Sequence, residues 1–142
     1  MYLLSRSRPA RSRRAARTPA LAEYFPGLAE ACPSVRVLVA LPMGIYAALA
    51  EEIVFRGALL GFLLRVGRER RGAVVVGALV TSIAWAMLHL GATDMPLLKL
   101  VQIFLLGLGL AALTRRWGLE AAIMAHLGTN LAGLAGMAVL GG

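Results

Sequence analysis

Glu51-Glu52-Ile53-Val54-Phe55-Arg56-Gly57 sets three charged side chains in the middle of an apolar run. Before it stand Val37-Leu38-Val39-Ala40-Leu41-Pro42-Met43-Gly44-Ile45-Tyr46-Ala47-Ala48-Leu49-Ala50, and after it Ala58-Leu59-Leu60-Gly61-Phe62-Leu63-Leu64. Ionised groups in hydrocarbon cost several kcal/mol, so those within a membrane segment are rare and usually paired or functional. On a helix, Glu52 and Arg56 stand four apart with the acid nearer the N-terminus, the favourable order for an ion pair. Glu51 lies about 100° further round and lacks that partner. The pattern suggests one carboxylate for structure and one left for chemistry. The plainer alternative is a charge cluster at the end of a membrane helix.

The composition agrees with a membrane setting. The chain has 142 residues, 59% hydrophobic and 15% charged, with mean hydropathy +0.76. This suits one multi-span domain better than a soluble core. The formal charge is +8, but Arg6, Arg8, Arg11, Arg13, Arg14 and Arg17 fall within the first 17 residues. The excess is mainly a terminal arm, not a nucleic-acid groove. The single cysteine, Cys32, excludes an internal disulfide and a cysteine-based metal site.

Working outward, residues 1–34 read as a basic disordered arm followed by an interfacial segment broken by Pro26, Gly27 and Pro33. Anchoring on anionic lipid is the plainest role for the arm; a transit peptide or an over-extended start are alternatives. Residues 35–142 form the membrane core. The apolar stretch 35–64 is about 45 Å long as a helix, longer than the roughly 30 Å hydrocarbon layer. It is either one tilted, projecting helix or one broken near Pro42 or Gly57. Spans at 73–90, 97–114 and 119–140 follow, joined by a basic loop at 65–72, a turn at 91–96 and a basic connection at 115–118. The fold expected is all-α, a multi-pass transmembrane bundle of about four segments. Counting positive charges puts the 65–72 loop and Arg115/Arg116 together on the cytoplasmic side. The arginine-rich arm conflicts with that count if 35–64 crosses once.

The remaining spans carry few polar groups, and these line up. Thr81, Trp85 and His89 share a stripe at four-residue spacing, as do His126 and Asn130. Roughly opposite the latter pair, Gly128, Ala132 and Gly136 form a row of small residues suited to close helix packing. Taken singly, each histidine is a candidate interface residue and Asn130 a candidate interhelical tie. Taken together, both histidines of the chain and the Glu51/Glu52/Arg56 cluster lie in apolar spans. Lipid forbids leaving them exposed. Turning them toward one another would build a polar cavity inside the bilayer.

Glu51-Glu52-x-x-x-Arg56, Trp85-x-x-x-His89 and His126-x-x-x-Asn130, in that order, resemble the three motifs of the CPBP family. These are intramembrane proteases related to the CAAX endopeptidases. The resemblance covers about residues 45–135. Trp85 stands where the family usually has Phe. The resemblance implies hydrolysis of a peptide bond within the membrane. It assigns Glu51 as general base on water, His89 as its orienting partner, and His126 and Asn130 as the oxyanion hole. Glu52 and Arg56 would support them. An alternative chemistry holds zinc on Glu51, His89 and His126 with Glu52 as base. No His-Glu-x-x-His helix is present, and the metal-independent mechanism, which needs no cofactor, is favoured. The expected partners are membrane lipid and a membrane-associated peptide or protein, in one version a prenylated CAAX-type tail, with no nucleic acid. The expected location is a prokaryotic cell membrane. Two other functions fit the same residues: a non-catalytic immunity or regulatory protein of the family, and an ion or proton carrier.

Overall fold

A computed structural model of the chain describes residues 31–90 and 96–140. The basic arm, most of the interfacial segment and the turn at 91–95 lie outside the described residues.

Helix α1 (Pro33–Glu52) begins with Pro33 in its first turn, where the missing N–H costs nothing. It passes through Pro42 without ending. The backbone stays helical from Glu52 into Ile53 and from Leu60 into Gly61. A π-helical segment, Ile53–Leu60, therefore runs straight on into α2 (Gly61–Val66). So the long apolar stretch is one continuous helix, and neither expected break occurs. What happens at Gly57 is a change of winding. Ala48, Glu52, Arg56 and Leu60 are all buried, at a constant spacing of four. In an α-helix that spacing overshoots a full turn by about 40° at each step. The wider i→i+5 turn carries more residues per revolution and brings the row back inward.

The chain leaves α2 at Gly67, turns with Arg68 and Glu69 both in the left-handed region (φ 52° and 51°), and enters α3 (Arg71–Met87). Helices α4 (Pro96–Trp117) and α5 (Leu119–Leu140) follow. Arg115 and Arg116 belong to the last turn of α4 and not to a loop; cations there complement the helix dipole. The connection is Gly118 alone, at φ 93°, a conformation only glycine adopts freely. Arg115 reaches back to Glu69 at 3.1 Å. The two basic connections thus sit at the same end of the bundle, as the charge count required.

Helix α4 packs on α3 and α5, α1 packs on α5, and the π segment rests on α3. Phe55, Trp85, Ala86, Ile103, Leu110 and Ala122 form the apolar core. The distribution of polarity is inverted relative to a water-soluble protein. Glu52 and Thr81 are 0% exposed, whereas Leu38 and Leu97 are 72% and 74% exposed. Large outward apolar faces of that kind need a non-aqueous surrounding. Two helical stretches, Ser34–Val66 and Pro96–Trp117, are long and apolar enough to cross a membrane; α3 is apolar but shorter. The described chain is all-α.

Among the described residues, no helix packs closely on the small-residue row of α5. A methyl group added at Gly128 or Gly136 would meet nothing within 4 Å among the described residues. Close helix approach occurs instead at Gly107 on α4. A Cβ there would lie 2.9 Å from the Ser82 Cβ of α3 and 3.2 Å from Arg56 Nη2.

Candidate active site

Three elements bring their polar groups to one place. Arg56, from the π segment, donates from Nη1 to Glu52 Oε1 at 3.0 Å, with both side chains fully buried. Its Nη2 donates to the Gly107 carbonyl at 3.4 Å, and its guanidinium lies 4.3 Å from the centre of the Trp85 ring. His126, on α5, places Nδ1 2.8 Å from the same Glu52 oxygen. A carboxylate oxygen that already accepts from arginine accepts from the imidazole too, so in an ionised Glu52 site Nδ1 carries the proton. Nε2 then faces Glu51, 4.0 Å from its Oε2.

Glu51 is not left without a partner, as its position on the helix suggested. Trp85 Nε1 donates to Glu51 Oε2 at 2.5 Å, joining α3 to α1 across 34 residues of sequence. Glu51 nonetheless keeps 27% of its side chain exposed, while Glu52 keeps none. One carboxylate of the pair is therefore buried and the other partly accessible. Trp85 is 2% exposed and meets the rings of both histidines edge-on, at 5.5 Å for His89 and 5.2 Å for His126.

Helix α3 ends at Met87, so His89 lies in the turn beyond it and not on a continued helical stripe. Its Nδ1 pairs with the Trp85 carbonyl at 3.0 Å, so this nitrogen is the donor, and Nε2 has no hydrogen-bond partner among the described residues. His89 reaches the cluster through Trp85. Thr81 stays out of it, bonding to the Gly77 carbonyl one turn back. Asn130 Nδ2 donates to the Gly44 carbonyl of α1 at 3.0 Å, which ties α5 to α1 one turn from His126. Asn130 therefore acts as the interhelical tie that its position allowed, with one amide N–H remaining.

Glu52, Arg56, Trp85 and His126 are each 4% exposed or less. The cluster is therefore well inside the bundle. Glu52 Oε2, Arg56 Nε and Ser82 Oγ are buried there with no hydrogen-bond partner among the described residues. The zinc set does not assemble. Among the described residues, no three His, Cys, Asp or Glu side chains gather closely enough to hold a metal ion. His126 Nδ1 is engaged by Glu52, and His89 Nδ1 by a carbonyl.

Three contributors were not foreseen from sequence: the indole N–H of Trp85, Ser82, and the backbone of Gly107. The first had a visible signal, since a tryptophan in an apolar span must find a partner for its one donor. Gly107 sits among other glycines of α4 with nothing local to single it out.

The chain matches the profile of the family described as Type II CAAX prenyl endopeptidase Rce1-like, over residues 33–132. It belongs to that family, and so to a family of membrane-embedded peptidases. The matched region spans every residue of the cluster. No curated protein and no solved structure matches the chain at a significant level.

Proposed function

We propose that this protein is a multi-pass intramembrane endopeptidase in which Glu51 activates water against a peptide bond of a membrane-associated substrate. The single observation that carries the reading is the pairing of an accessible Glu51 with a buried, doubly tethered Glu52 beside His126. The 4.0 Å between Glu51 Oε2 and His126 Nε2 is too long for a direct hydrogen bond. It suits one water held about 2.8 Å from each.

In the step proposed, Glu51 takes a proton from that water as its oxygen bonds to the carbonyl carbon. The C–N bond then breaks, and the same proton passes to the departing nitrogen. The oxyanion needs donors. Asn130 has one amide N–H beyond that given to Gly44, and His126 can donate from Nε2 only as the imidazolium. His89 offers Nε2 as an acceptor to orient the water. Glu52 and Arg56 touch no substrate; they fix the tautomer and position of His126. One preorganised oxyanion donor typically supplies about 3 kcal/mol.

The membrane arrangement follows from the same features. The proposed arrangement takes the continuous Pro33–Val66 helix, α3, α4 and α5 as four segments, of which Ser34–Val66 and Pro96–Trp117 are long and apolar enough to cross, and sets the arginine end in the cytoplasmic headgroup layer. The substrate class that fits the family is a prenylated CAAX-type tail, whose lipid would hold the scissile bond at the membrane.

The test is cleavage of an internally quenched peptide ending in a prenylated CAAX sequence, by the full chain in detergent. Glu51→Ala should abolish turnover, and cleavage by that variant at the wild-type rate would end the proposal.

A further inference from the structure

We propose that Trp85 is a positioning residue whose indole N–H holds the Glu51 carboxylate in its working orientation. The inference rests on the proteolytic reading of Glu51 and adds a residue to it. Trp85 combines the bulk of an aromatic filler with one extra property, a hydrogen-bond donor. Phe can fill the space but cannot touch the carboxylate.

The geometry gives that donor a single use. Trp85 is 2% exposed, and its Nε1 meets Glu51 Oε2 at 2.5 Å. The ring is buried and has close neighbours that restrict its turning. The Arg56 guanidinium lies over one face at 4.3 Å from its centre. The His126 imidazole stands edge-on at 5.2 Å and 74°, and the His89 imidazole at 5.5 Å and 82°. Gly107 lets α3 sit close against α4 behind it, with Ser82 at the contact. The indole is thus a fixed donor on α3 aimed at a flexible acid on α1.

The acid needs such a partner. Glu51 has three rotatable bonds and 27% of its side chain exposed. Without a restraint it would sample rotamers that carry its oxygens away from His126. Clamping Oε2 keeps the carboxylate near His126 Nε2. Accepting from the indole leaves Oε2 a second lone pair for the water proposed between it and His126 Nε2. Misplacing a catalytic group by about 1 Å is enough to cost orders of magnitude in rate. The same indole meets both histidine rings edge-on. This explains why His89 joins the cluster although its helix has already ended.

The experiment uses the full chain in detergent, in a Trp117→Phe background. The sequence has two tryptophans, so only the Trp85 indole then remains. Trp117 is 64% exposed and far from the cluster in sequence position on α4. The Nε1–H resonance of Trp85 is recorded by ¹H–¹⁵N NMR. It should lie downfield and exchange slowly with solvent, and Glu51→Ala should move it upfield and speed its exchange. A resonance unmoved by Glu51→Ala overturns the proposal, whatever the activity.

Trp85→Phe is then assayed on the quenched prenylated CAAX peptide. Loss of one hydrogen bond to a charged group should lower kcat about tenfold and leave KM unchanged. A purely structural tryptophan would instead lower the melting temperature with kcat per folded molecule intact, and that outcome also overturns the proposal. If Trp85→Phe does not fold, the indole resonance decides alone. If the wild type does not cut the peptide, the proteolytic reading is what suffers, and the resonance still decides the contact.

Discussion

Arg56→Ala removes a full positive charge buried in the centre of the bundle, and its cost can be worked from the contacts. Arg56 and Glu52 are both fully buried at 3.0 Å. Removing one partner of a buried ion pair costs about 3–5 kcal/mol, chiefly because the other charge stays behind unpaired. The lost cation–π contact with Trp85 at 4.3 Å adds about 1 kcal/mol. Against this, Glu52 retains His126 at 2.8 Å, which softens the penalty. The net expectation is about 3 kcal/mol of destabilisation, with a melting temperature lower by roughly 10 °C for a chain of this size. The assay is thermal unfolding in detergent micelles, followed by far-ultraviolet circular dichroism. A second variant separates charge from packing. Glu52→Gln with Arg56→Met keeps an acceptor for His126 and much of the volume, but carries no ion. It should melt well above Arg56→Ala, since an uncharged pair of similar size replaces a buried ion pair at little cost. Arg56→Ala melting within about 2 °C of wild type would refute the reasoning, because a pair so cheap to break must be solvated.

Gly107→Ala should destabilise by about 1–3 kcal/mol, since its methyl would press on the Ser82 Cβ at 2.9 Å and force α3 and α4 apart; an unchanged unfolding midpoint would count against that close approach. Proteolytic activity should survive exhaustive treatment with chelators, because no metal-holding cluster exists among the described residues; loss that added zinc restores would reverse this. Cys32 is fully exposed, and the Ser34 hydroxyl 3.1 Å from its Sγ holds the thiol below its ordinary range, helped by the Val35 N–H. Ser34→Ala should therefore move the pH profile of iodoacetamide alkylation to higher pH, and a profile that stays put would show that the hydroxyl does not reach the thiolate.

Much of the site was legible because helices turn short sequence spacings into faces. Glu52 and Arg56 met as their four-residue separation required, and the last helix ran over the expected 119–140. What stayed hidden was set between helices or by the winding of one. The spacing that puts Trp85 and His89 on one stripe holds only while α3 continues, and it stops two residues short of His89. Glu51 looked unpartnered because its partner is a side chain 34 residues away. The small residues of α5 showed where another helix could approach, which is different from where one does. Arg115 and Arg116 read as a connection because charge marks a membrane boundary, whereas the helix itself persists until Gly118 permits a positive φ.

The π-wound stretch Ile53–Leu60 makes residue count a property of the site. Each residue of an α-helix carries about 100° of rotation, and each residue of the wider π winding carries less. Deleting one between Glu52 and Gly61 would swing Phe62 and all that follows toward a different neighbour, while the motif upstream stayed where it was. A loop would absorb such a length change freely, whereas this segment can do so only by changing its winding. Its eight positions act as a spacer whose number, as much as its chemistry, keeps the two halves of the long helix in phase.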